Sequence, residues 1–184
     1  MNAFGGPFAV STHELARRPG ESRHLNTTVL APQDLGSDII AVPLDGPIEL
    51  DLLLESVLEG VLVTGRVRTM ARGACVRCLE DVELPLDLSI QELFAYPERM
   101  EAARESGAED AEERMLIGET ADIEPTVRDA IVLGLPFQPV CAEDCPGLCP
   151  TCGERLDSDP GHRHEVRDPR WSALAALTER EEKS

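Results

Sequence analysis

The residues able to do chemistry come in close pairs. They are Cys75-x2-Cys78, Cys141-x3-Cys145, Cys149-x2-Cys152 and His162-x-His164. A Cys-x-x-Cys pair turns the backbone into a knuckle that aims both sulfurs at one point. Two pairs supply the four donors of a tetrahedral zinc site. Six cysteines and two histidines make eight donors, the number two such sites require. The pairs can be grouped in several ways. The grouping expected here is Cys75, Cys78, Cys141 and Cys145 around one ion, and Cys149, Cys152, His162 and His164 around another. Gly153 follows Cys152, the second sulfur of its pair, where a turn needs a glycine.

Other chemistry is possible for these groups. A disulfide framework belongs to secreted chains, and the start MNAFGGPFAVSTHEL lacks the basic and apolar regions of a signal peptide. A redox pair at Cys75/Cys78 calls for a helix beginning at the pair, whereas the surroundings read as strand, turn, strand. A catalytic zinc keeps one position open beside an acid or base. Glu165 adjoins His164, but neither His-Glu-x-x-His nor the deaminase order His-x-Glu then Pro-Cys-x-x-Cys occurs. Closed structural sites are the expectation, with no catalytic residue. The polar GHRHEVRD stretch can equally carry histidines that ligate nothing, and Cys75 and Cys78 can be a reduced, empty pair.

The elements that must position these donors follow from periodicity. Ile48, Leu50, Leu52 and Leu54 alternate with polar residues, and a turn at Glu59-Gly60 follows. Val61, Val63, Val67 and Ala71 share one face of the next strand, with Arg66, Arg68 and Arg72 on the other. Cys75 to Cys78 marks its reversal. Leu84, Leu86, Leu88 and Ile90 alternate again, and Pro85 puts that strand at an edge or makes it start there. Shorter strands are expected at Leu25 to Ala31, Ile39 to Val42 and Arg114 to Gly118. A capping box at Ser11 to Glu14 predicts a short helix ending before Arg18. Ile123, Val127, Ala130 and Ile131 predict a second helix, with Pro125 at its start. Asp168-Pro169 opens a third, carrying Trp171, Leu174, Ala175 and Leu177.

The fold expected is α+β: an antiparallel, twisted sheet or partial barrel with packed helices and a C-terminal zinc-binding Cys/His segment. Residues 1–140 form the sheet domain, with an acidic insertion at about 98–122 that reads as a solvated charge run. Residues 141–184 form the zinc segment and last helix, packed on the first part. No apolar run approaches the roughly 20 residues of a membrane helix. With reduced cysteines, this predicts a cytoplasmic protein.

The strand–turn–strand around Cys75-x2-Cys78-Leu79 and the run Gly147-Leu148-Cys149-Pro150-x-Cys152-Gly153 carry a resemblance. So do Leu135-Pro136 before the run and Asp168-Pro169-Arg170 after it. The sequence resembles the YceD family of large ribosomal RNA subunit accumulation proteins from about Ser11 to Leu177. The resemblance implies a non-enzymatic cytoplasmic factor needed for 23S rRNA to accumulate during large-subunit synthesis or assembly. Genes of the family often lie beside that of a small, basic large-subunit protein. Many members carry Cys-x-Cys where this chain has His162-Arg163-His164, a swap that keeps the ligand count. Some members lack the later cysteines, which argues against a catalytic role for them.

Charge narrows the choice of partner. The net charge is −18, the reverse of what a protein that coats nucleic acid carries. A basic large-subunit ribosomal protein suits this surface, with 23S rRNA as the other candidate; neither a membrane nor a small-molecule substrate is expected. Any direct rRNA contact would be local to Arg66, Arg68, Arg72 and Arg77, which can equally be a strand's solvated face. The readings left beside the assembly factor are a zinc-binding adaptor and a zinc or thiol enzyme.

Overall fold

The computed structural model describes residues 6–15, 17–99, 114–159 and 161–164. A mostly antiparallel sheet of seven strands curls into a half-barrel. Its strands are β2 (Ser22–Leu30), β3 (Leu35–Gly36), β4 (Ile40–Val42), β5 (Pro47–Ser56), β6 (Gly60–Ala74), β7 (Asp81–Ala95) and β8 (Arg114–Met115). A small second sheet joins β1 (Ala9–Ser11) to β9 (Thr120–Asp122). The helix α1 (Glu124–Gly134) lies against β7 and β3.

β6 is the spine. Along one side it pairs first with β5, from Val61 to Thr69, and then with β4 at Arg72 and Gly73. Along the other side it pairs with β7 over its whole length. β2 closes the outer edge of β5. The outer side of β7 is paired at Phe94 and Ala95, by the parallel strand β8, so Pro85 does lie on an edge.

Period-two alternation fills the concave face. Ile48, Leu50, Leu52 and Leu54 from β5 meet Val61, Val63, Val67 and Ala71 from β6, all buried. Leu86, Ile90 and Phe94 extend this layer along β7, and Val127 and Ile131 of α1 close over it. Each such side chain contributes about 1.5–3 kcal/mol on burial, so this layer is the principal source of stability.

Two expectations are corrected. The Ser11 to Glu14 capping box does not start a helix. Ser11 accepts from the His13 amide at 3.3 Å, as a cap would. Thr12, however, gives both its amide (2.8 Å) and its hydroxyl (3.0 Å) to the Glu119 carbonyl. Glu14 turns to Arg23 at 3.2 Å instead of back to the cap. A four-residue signal cannot outweigh those tertiary bonds when helix nucleation itself is unfavourable. The acidic run is also shorter than read, because β8 and β9 place residues 114–122 inside the fold. Residues 100–113 and the expected Asp168 helix lie outside the described residues. Of the packed helices expected, α1 is the one seen against the sheet among the described residues. No helix among the described residues is long and apolar enough to cross a membrane.

Candidate metal centres

The β6–β7 hairpin ends in the knuckle Cys75 to Cys78, and the chain leaving α1 returns to it. The Val76 amide donates to Pro139 O at 2.9 Å. Arg77 donates from Nη1 to the carbonyls of Glu143 (3.1 Å) and Cys145 (3.0 Å). The Leu148 amide in turn donates to Arg77 O at 3.1 Å. These bonds seat residues 139–148 on the hairpin tip. They bring Cys141 and Cys145 to Cys75 and Cys78.

The four sulfurs lie within 4.8 Å of one another. Cys75 Sγ is 3.8 Å from Cys145 Sγ, and Cys78 Sγ is 3.6 Å from Cys141 Sγ. Four thiolates at about 2.3 Å from a tetrahedral ion have sulfur–sulfur edges of about 3.8 Å, which these two edges match, so the set could hold such an ion. Cys75, Cys78 and Cys145 are buried and form a small cluster of their own with Val82, Val140 and Leu148.

The second group is Cys149, Cys152, His162 and His164, also within 4.8 Å. Cys152 Sγ is 3.2 Å from His162 Nε2 and 3.1 Å from His164 Nε2, and the two Nε2 atoms are 2.8 Å apart. These edges are a few tenths of an ångström shorter than tetrahedral ligation by sulfur and nitrogen gives, so the donors would open slightly around an ion. The two groups are the ones expected from spacing.

The two knuckles share one backbone design. Cys75 N donates to Glu80 O and Cys149 N to Glu154 O, each at 2.8 Å. Leu79 N donates to Cys75 O at 2.9 Å and Gly153 N to Cys149 O at 2.8 Å. The residue after the second sulfur is left-handed in both, with φ 63° at Leu79 and 77° at Gly153. Leucine accepts that strained conformation in the first knuckle, which shows how firmly the hydrogen bonds dictate the turn.

The same turns favour thiolates. At Cys75 burial pushes the thiol up, but hydrogen bonds from the backbone of Cys141, Cys78 and Arg77 bring it down to about 6. At Cys149 the Thr151 and Cys152 amides lead, bringing it down to about 6. Cys141, facing the sulfurs of Cys145 and then Cys78, is pushed up to about 12. Each group thus has one knuckle thiol primed as an anion, the form that binds metal.

The four arginines separate into two roles. Arg66, Arg68 and Arg72 project from the convex face of β6 and face acids across the sheet. Arg66 lies opposite Asp51, Arg68 opposite Glu49 and Asp87, and Arg72 opposite Glu83. Nε of Arg66 reaches Asp87 at 2.8 Å, Nε of Arg68 reaches it at 3.5 Å, and Nε of Arg72 reaches Glu83 at 3.1 Å. The hydrogen bond from Arg66 holds the Asp87 carboxyl below its usual value. Arg77 is the clamp on the cysteine-bearing tail. That role, and the ion pair from Arg155 to Glu80 between the two knuckles, were not anticipated. Aligning CVRCLE with CPTCGE gives a signal for part of this, since both place Glu two residues beyond the second cysteine.

The chain is 46% identical over 171 residues to an uncharacterised protein of Mycobacterium tuberculosis, covering 93% of this chain and 81% of that one. An uncharacterised Mycobacterium leprae protein is 40% identical over 171 residues, covering 93% of this chain and 77% of that one. The uncharacterised protein YlbN of Bacillus subtilis is 31% identical over 113 residues, 60% of this chain and 62% of that one. No solved structure matches. The family model described as large ribosomal RNA subunit accumulation protein YceD matches residues 63–178, from near the start of β6 through both cysteine-bearing groups, and the chain belongs to that family.

Proposed function

We propose that this protein is a non-enzymatic cytoplasmic factor for synthesis or assembly of the large ribosomal subunit, needed for 23S rRNA to accumulate. The observation that carries this reading is the family match over residues 63–178. Both metal groups are read as structural zinc. Thiolate and imidazole donors suit that ion, and four donors in each group complete a tetrahedron without an open position for substrate. When bound, zinc supplies crosslinking: it ties the β6–β7 tip to the returning tail and closes the loop at 149–164.

The direct partner proposed is a basic large-subunit protein, with rRNA contact secondary. Net charge −18 repels phosphate and steers a basic partner toward the surface. The arginines best placed to offset that repulsion are engaged with Asp87 and Glu83 or with the tail. Affinity purification at moderate salt, with and without nuclease, tests this. A basic large-subunit protein should remain after nuclease, and its capture should slow as salt rises. Alanine at Arg66, Arg68 and Arg72 together should weaken association only partly. Loss of every ribosomal protein after nuclease would make RNA the true partner.

A further inference from the structure

The two metal groups are held in different ways. The first takes its ligands from two distant stretches, 75–78 and 141–145, and buries three of the four within an apolar cluster. Its exposed member, Cys141, has its sulfur turned to that of Cys78. The second takes every ligand from residues 149–164. Cys152 and His164 are exposed there, and Cys149 alone is buried.

The hydrogen bonds of the second group are also local. Cys149 N bonds Glu154 O, Leu156 N bonds Gly147 O and His162 N bonds Asp159 O. It meets the hairpin through the Leu148 amide on Arg77 O and the Arg155–Glu80 ion pair. An incoming chelator must reach the ion and displace ligands in turn. Around the second group it can do so from solvent after opening a short surface loop. Around the first it must separate the tail from the hairpin, a larger opening that is visited more rarely.

We propose that the second group is an exchangeable zinc site and the first a retained one, so that residues 149–164 form a latch closed by available zinc on a permanently crosslinked hairpin. This rests on the reading of both groups as zinc sites. The exchange is ligand substitution without electron transfer: Zn2+ passes to the chelator, whose donor atoms replace Cys149, Cys152, His162 and His164 around the ion.

Purified full-length protein would be mixed with a chromophoric zinc chelator and a thiol-alkylating reagent, and alkylated sites mapped by mass spectrometry. One zinc per chain should leave at least about tenfold faster than the other. The cysteines alkylated with the fast phase should be Cys149 and Cys152. Cys152→Ser and, separately, His162→Ala should lack the fast phase, keep one slowly released zinc and retain the wild-type circular dichroism. Release of two equivalents in a single phase overturns the proposal while leaving two zinc sites in place. So does a fast phase that labels Cys75, Cys78, Cys141 or Cys145, or loss of both ions from both variants. Protein containing no zinc at all overturns the metal reading itself.

Discussion

Replacing Cys145 with serine should lower bound zinc from two to one per chain and destabilise the protein by about 4 kcal/mol or more. Cys145 is 7% exposed and lies 3.8 Å from the Cys75 sulfur. The loss is expected to be large because it is shared. Without the ion, Cys75, Cys78 and Cys141 lose their common partner, the first two of them inside an apolar cluster. Residues 139–148 are then held on the hairpin by the bonds of Val76, Arg77 and Leu148 and by the packing of Val140 and Leu148. Urea unfolding together with elemental analysis measures both effects. Retention of two zinc ions in the variant would mean that Cys145 is not a ligand, whatever its position.

Phe94→Ala should cost about 3–5 kcal/mol, the range for emptying a fully buried aromatic site. Phe94 is 1% exposed at the far end of β7, where Val61 lies opposite and Arg114 of β8 flanks it. It belongs to the large core and not to the cysteine cluster. Zinc content at low temperature should therefore stay at two per chain while the unfolding midpoint falls. A loss below about 1 kcal/mol would show that this end of the half-barrel has no tight packing to lose.

These two substitutions separate what was legible in the sequence from what was not. The alternation of Ile48 to Leu54 and of Val61 to Ala71 gives the long antiparallel strands directly, because one face of the sheet is buried and the other wet. The knuckles are legible because a sulfur pair and its left-handed turn are local. Their grouping agrees with spacing, but contact between Cys75 and Cys145 spans a sequence separation of 70, which no local pattern encodes.

Arg77 shows the same limit. Its place on the knuckle suggested a surface contact, but its partners are backbone carbonyls of Glu143 and Cys145, and any sequence supplies carbonyls. The short strands β1, β8 and β9 are set by pairing partners rather than by their own two or three residues. Ser11 to Glu14 failed as a helix start for that reason, since β1 leads directly into the Thr12–Glu119 bonds.

The count of zinc per chain, taken with the accessibility of the six thiols, tests the account most directly. Protein purified without chelator should carry two zinc ions, and its cysteines should resist titration until the metal is removed. One zinc would contradict the division of Cys75, Cys78, Cys141 and Cys145 from Cys149, Cys152, His162 and His164 into two sites. No zinc, with six thiols reacting freely in the folded protein, would contradict the metal centres altogether.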